Sequence, residues 1–159
     1  MRFEPGWAVD LKTLLTRFLA NSDRAPFWAR AWLAAAGAYN LGWGAVTILF
    51  PNALFDWTGA PRPSYPEIWQ CVGMIVGVYG VGYLIAATRP RVHWPIVLVG
   101  LMGKVLGPIG FAKALDDGVF PPLFGLTILT NDLLWWVPFS MILVDAFRYH
   151  SRTAAEAQP

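Results

Sequence analysis

Two ionisable residues, Lys104 and Asp132, stand deep inside apolar stretches of the chain. A Lys or Asp at the centre of a membrane helix costs at least about 2.5–3.5 kcal/mol, so each needs a partner or a purpose. Gly118 lies fourteen residues from both. A helical hairpin turning there puts the two side chains at one depth and makes a Lys104–Asp132 ion pair geometrically available. From apolar ends near residues 114 and 123, each lies roughly 14 Å in at 1.5 Å per residue, close to the middle of a bilayer core. Asn131 is adjacent, and Asn40 sits midway through another apolar stretch, so three helices each bring a polar group to mid-depth. Trp135 follows Asn131 by four residues and Asp132 by three, which puts its indole on the same helix face. Tyr39 and Trp43 flank Asn40, while Tyr79 and Tyr83 line a further helix.

A polar cluster walled by aromatic rings has the make-up of a small ligand pocket. Lys104 would supply a donor and positive charge, and Asp132 would hold it. Asn40 and Asn131 would bind carbonyl or hydroxyl groups, with Trp135 as a wall. The same side chains could instead hydrogen-bond one another and fix which helices adjoin, or meet another membrane subunit. All three readings stand open on these residues.

Other reactive groups are few. The single Cys71 excludes an internal disulfide, a Cys-rich zinc site and a CxxC redox motif, and no neighbouring base or cation activates it, so packing is its expected role. His93 and His150 both fall at one predicted surface and read as solvated. Asp116 and Asp117 read as a turn with an acidic cap. Lys113 reaches the interface by extending its own chain, and Asp145 is expected to pair with Arg148, three residues on. No nucleophile–base pair or metal-ligand set is visible, which points away from an enzyme, and no cofactor is specified. A net charge of +2, thinly spread, gives no nucleic-acid surface.

The elements that must position this cluster are membrane helices. Of 159 residues 56% are hydrophobic and only 14% charged, against about 25% charged in a soluble domain. Mean hydropathy is +0.45. Four stretches have the roughly 20 residues that cross a bilayer: about 31–50, 68–87, 94–114 and 123–144. Turn formers separate them, including Pro51-Asn52, Pro61-Arg62-Pro63, Arg89-Pro90 and Pro121-Pro122. The expected fold is all-α: an integral membrane four-helix up-down bundle over residues 28–147, with a cytoplasmic tail over 148–159. Residues 1–27 form a cytoplasmic or interfacial segment. There Trp7, Leu11, Leu14, Leu15 and Phe18 share one helical face, which predicts an N-terminal amphipathic helix in the membrane interface or against a partner.

With the N-terminus inside, the inner segments hold Arg2, Lys12, Arg17, Arg24, Arg30, Arg89, Arg91, Arg148 and Arg152, nine cations, against only Arg62 and Lys113 outside. That bias predicts both termini on the cytoplasmic side. Trp28, Trp57, Trp69 and Trp94 fall near span ends, where interfacial anchors belong. Gly73, Gly77, Gly80 and Gly82 on the second span, and Gly100, Gly103, Gly107 and Gly110 on the third, have the spacing that lets helix backbones approach. These glycines are read as packing within the chain.

Taken as a set, Tyr39-Asn40-Leu-Gly-Trp43-Gly44, Gly73-Met-Ile-Val-Gly-Val-Tyr79-Gly80, His93-Trp94-Pro95, Gly103-Lys104 through Gly107-Pro108-Ile-Gly-Phe111 and Asn131-Asp132-Leu-Leu-Trp135-Trp136-Val-Pro138 resemble small bacterial four-helix membrane proteins of the DoxX-like kind. The resemblance covers about residues 31–146. It implies a bacterial inner-membrane protein with a quinone or redox partner, and assigns no residue a role. Some relatives carry the label alkyl hydroperoxide reductase, which the lone, unactivated Cys71 argues against. The reading that follows is a small membrane accessory protein. Its partners would be the lipid bilayer, a lipophilic or quinone-like molecule at Asn40, Lys104, Asn131, Asp132 and Trp135, and other membrane subunits. The alternatives are a structural subunit of a larger complex and, behind it, a proton-coupled transporter, which four spans without an inverted repeat disfavour.

Overall fold

A computed structural model describes residues 25–156, all of whose regular structure is helical. The amphipathic segment expected before residue 27 lies almost wholly outside the described residues, as do Arg2, Lys12, Arg17 and Arg24. Helix α1 runs Phe27–Leu49, the short α2 Ala53–Thr58, α3 Pro66–Thr88 and α4 Trp94–Asp116. A 3-10 turn (Pro122–Phe124), the short α5 (Gly125–Ile128) and a π-helical turn (Leu129–Leu133) then lead without a break into α6, Leu134–Glu156.

Local chemistry explains these limits. Pro66 and Pro95 occupy first turns, where a missing N–H costs nothing. Gly59 (φ 73°) and Gly118 (φ 68°) end α2 and the α4 hairpin in the left-handed region that only glycine enters freely. The expected turn at Gly118 is therefore where the chain reverses. Helix α6 runs on to Glu156 rather than stopping near residue 144, because nothing after Pro138 breaks it.

Three helical segments are long and apolar enough to cross a membrane: Pro66–Thr88, Trp94–Asp116 and Pro122–Ala155. Helix α1 is as long as α3, but Arg30, Asn40, two tyrosine-or-glycine-rich turns and a run of alanines dilute its apolar content. The large apolar side chains point outward, with Val78, Leu106 and Val137 each more than 60% exposed. That inside-out pattern suits helices whose solvent is lipid.

Helices α1 and α3 press together through small residues. A Cβ on Gly44 would stand 2.6 Å from the Gly73 carbonyl, and one on Gly80 would stand 2.9 Å from the Gly37 carbonyl. At one end of this seam Arg30 Nε donates to the Ala87 carbonyl at 3.2 Å. The expected internal packing thus holds for Gly73 and Gly80. Gly103 and Gly110 have nothing within 4 Å of a built Cβ. Helix α4 meets the last helical run in reversed order, through Trp94–Phe147 (5.0 Å) at one end and Phe111–Phe124 (6.2 Å) at the other. A core of Leu33, Tyr83, Val97, Trp135, Phe139 and Ile142 joins the two pairs.

Several surface expectations change. Asp145 pairs with Arg91, not Arg148: the guanidinium donates through Nε at 2.8 Å and Nη2 at 3.1 Å. Arg91 reaches the carboxylate from the turn before α4 with both prongs of its guanidinium, and it also lies 4.8 Å over the Tyr149 ring. His150 Nε2 lies 2.8 Å from the Arg91 carbonyl, so it is bonded, not merely solvated. Lys113 pairs with Asp117 at 2.7 Å, and Cys71 is exposed rather than packed. Between α1 and α3, Arg62 donates twice to Asp56, at 2.6 and 2.8 Å, and that hydrogen bonding holds the Asp56 carboxyl below the ordinary range.

Candidate functional site

Lys104 lies close to the middle of α4 and is 4% exposed. Its position there follows from two breaks in regular helix geometry. The first is Pro108, four residues on, which has no N–H to give the Lys104 carbonyl. Trp136 fills that role: its indole N–H donates to the Lys104 carbonyl at 2.9 Å. The second is the π-helical turn over Leu129–Leu133, whose wider spacing displaces carbonyls from the ordinary ladder. Two of these carbonyls accept side-chain donors. Lys104 Nζ donates to the Asn131 carbonyl, and Trp135 Nε1 donates to the Thr130 carbonyl at 2.9 Å.

The expected Lys104–Asp132 ion pair is therefore replaced by a lysine-to-backbone hydrogen bond. The equal-depth argument holds, but the π turn offers a carbonyl where a regular helix would have none free. Asp132 is buried and packs its carboxylate against Gly107, whose built Cβ would stand 3.1 Å from Oδ2. It accepts from Asn131 Nδ2 at 3.4 Å. The ammonium lies between two rings, 5.9 Å from the centre of Tyr83 and 5.8 Å from that of Trp135.

Beside Lys104 is a cavity of about 160 Å³. Asn40 closes it from α1; Ile75, Val76, Tyr79 and Tyr83 line it from α3; Gly100, Gly103 and Lys104 line it from α4; Asn131 completes it from the π turn. An apolar protein cavity of roughly 150 Å³ holds one benzene ring. Two of the lining residues carry an unsatisfied atom: Asn40 Oδ1 and Asn131 Oδ1 are buried and accept no hydrogen bond among the described residues. A buried polar atom in that condition costs about 1–3 kcal/mol. At the rim between α3 and α4, Ile75 is 58% exposed and Gly103 is exposed too.

Of the five residues singled out by sequence, Asn40, Lys104 and Asn131 line the cavity, whereas Asp132 and Trp135 stand behind it. Trp135 is core: it makes an edge contact with Trp32 at 6.1 Å and lies 5.7 Å from Tyr39. The sequence reading missed Gly103, whose lack of a side chain leaves the cavity open, and Trp136, whose partner is set by Pro108. Only the Pro108 position, four residues after Lys104, could have signalled a free carbonyl. Among the described residues no three His, Cys, Asp or Glu side chains converge as metal ligands would. The chain matches no family model, no curated protein and no solved structure.

Proposed function

We propose that this chain is a four-span membrane protein that binds a lipophilic, quinone-like molecule, seating a single-ring polar head beside Lys104. The observation that carries this reading is a ring-sized cavity lined by a buried lysine and by two asparagines whose side-chain oxygens lack partners among the described residues. Polar groups purely for helix pairing would be expected to satisfy one another fully; here Asn40 Oδ1 and Asn131 Oδ1 are left over. Lys104 keeps two N–H donors beyond the one spent on Asn131. The ring-sized volume accepts a head group, and the rim at Ile75 and Gly103 leads sideways toward lipid, where an apolar tail would lie. The redox setting rests on the resemblance to DoxX-like proteins.

The wider arrangement belongs to the same proposal. Helix α1 is the fourth span of an up-down bundle, which the reversed order of its contacts with α3 supports. Arg30, Arg89, Arg91, Arg148 and Arg152 then gather at the cytoplasmic end of a bacterial inner membrane, with Arg62 and Lys113 opposite.

The test is native mass spectrometry of the full chain extracted with its own lipids in mild detergent. The expected result is a retained small molecule that is lost in Lys104→Met and in Gly103→Val, which fills the cavity where the surroundings leave space. A bare wild-type chain, one accompanied by other subunits but no small molecule, or a molecule held equally by both variants would overturn the reading and leave the polar cluster structural.

A further inference from the structure

Arg30 is exposed in the first turn of α1, and its Nε donates to the Ala87 carbonyl at 3.2 Å. That carbonyl is among the last four of α3, which have no N–H of their own helix to meet. The bond therefore holds the guanidinium across the α1–α3 seam. Four N–H groups on its two Nη atoms remain, and among the described residues Arg30 has no carboxylate partner. No acidic residue stands in the first turn of α1, and Asp145, at the same end of the bundle, is already held by Arg91. Beside the guanidinium a groove of about 610 Å³ opens outward between α1 and α3. Ala31, Ala34 and Ala87 line it with single methyl groups, and the larger Phe27 and Leu84 are exposed beside them. From Arg30 to Ala34 is about one helix turn, roughly 6 Å inward from the helix end. A free anion would answer the guanidinium but not the methyl groups, and an apolar peptide would answer the methyl groups but not the charge. A lipid with a negatively charged head answers both.

We propose that this groove binds an anionic phospholipid, whose phosphate accepts from Arg30 while the start of one acyl chain lies along Ala31 and Ala34. The planar guanidinium fork matches phosphate oxygens in pairs, and the Ala87 carbonyl fixes that fork before the lipid arrives, so little side-chain freedom is lost on binding. A zwitterionic lipid offers the same phosphate but brings an ammonium of its own to an end of the bundle that also holds Arg89, Arg91, Arg148 and Arg152, and so gains less. One basic residue near an anionic lipid surface corresponds to about a fivefold gain in affinity, and a preference of that order over a zwitterionic lipid is expected. The site is separate from the cavity at Lys104 and shares with the proposed function only the placing of α1 as the fourth span.

The test is native mass spectrometry of the full chain from micelles doped with equal amounts of phosphatidylglycerol and phosphatidylethanolamine carrying the same acyl chains. The wild type is expected to retain phosphatidylglycerol about fivefold over phosphatidylethanolamine. Arg30→Gln is expected to abolish that preference, while Arg148→Gln, at the same end but outside the groove lining, leaves it intact. Ala34→Phe keeps the charge but fills the groove from an exposed position, and is expected to lower the retained fraction of both lipids. Equal retention of the two lipids by the wild type would overturn the proposal, as would a preference that survives Arg30→Gln. An equal loss in Arg148→Gln would overturn it too, by making the attraction a property of the whole arginine-rich end. So would undiminished retention in Ala34→Phe. A wild-type chain that retains neither lipid would likewise overturn it and leave the groove to residues 1–24 of this chain or to a partner protein. The ring-sized cavity at Lys104 stands or falls separately, on the small molecule lost in Gly103→Val.

Discussion

Helices α1 and α3 meet backbone to backbone across Gly37, Gly44, Gly73 and Gly80, whereas α4 and the last helical run meet through Lys104, Asn131, Trp136 and Asp132. Lipid is as apolar as a leucine side chain, so neither seam gains from hiding apolar surface. Close van der Waals approach serves one and polar contacts across the helices serve the other. The two solutions leave different amounts of room. Glycines bring the helix axes so near that no side chain fits between them, while lysine and tryptophan reach across a gap and hold it open. The cavity lies where the glycine-packed pair faces the polar pair, walled on one side by Tyr83 lying over Gly100 and on the other by the π turn.

The sharpest way to break this contrast is to add the same side chain to each region. Gly44→Val drives a branched carbon into the Gly73 carbonyl, which is backbone and cannot yield. A loss of at least about 1–3 kcal/mol follows, read as a lowered unfolding midpoint in detergent. Gly103→Val meets open space, and its midpoint is expected within about 1 kcal/mol of wild type. Equal losses at the two glycines would erase the distinction between a closed and an open seam.

A smaller effect tests how the polar seam is built. Trp136→Phe removes the donor from the Lys104 carbonyl and is expected to cost about 1 kcal/mol or more. Pro108→Ala supplies that carbonyl with an N–H inside its own helix. In the double variant the Trp136 change is expected to cost measurably less than it does alone, a coupling that a double-mutant cycle reads directly. Strictly additive effects would show that the indole serves only as packing.

The smallest effect concerns the end of the seam. Asp145→Asn weakens the two-pronged Arg91 pair, whose partners are about one-fifth and one-quarter exposed; with solvent screening, about 1 kcal/mol or less is expected. Arg148→Ala is expected to leave the unfolding midpoint unchanged. A larger loss from Arg148→Ala than from Asp145→Asn would restore the i,i+3 pair in place of the tertiary one.

Much of the architecture was legible in the sequence because membrane helices obey one-dimensional rules. Length and apolarity mark Pro66–Thr88, Trp94–Asp116 and Pro122–Ala155, turn residues separate them, and a glycine fourteen residues from both Lys104 and Asp132 sets those two at one depth. The cost of charge in lipid singles out the same two residues without any fold. What depth could not supply was the partner. Lys104 binds the Asn131 carbonyl and not the Asp132 carboxylate because a π turn, invisible in a periodic pattern, frees a backbone group just there. Asp145 likewise pairs with Arg91 and not with Arg148, three residues on, because the fold brings a turn fifty-four residues away within two-pronged reach of the carboxylate. Gly103 looked like one more packing glycine, and only the placement of α3 beside α4 made it the open wall of a cavity. Sequence alone determined that the polar groups of the apolar stretches would face one another inside the bundle, since lipid offers them no partners. Tertiary structure decided which of them pair and which are left unsatisfied, because hydrogen bonds depend on ångström-scale direction that periodicity does not encode.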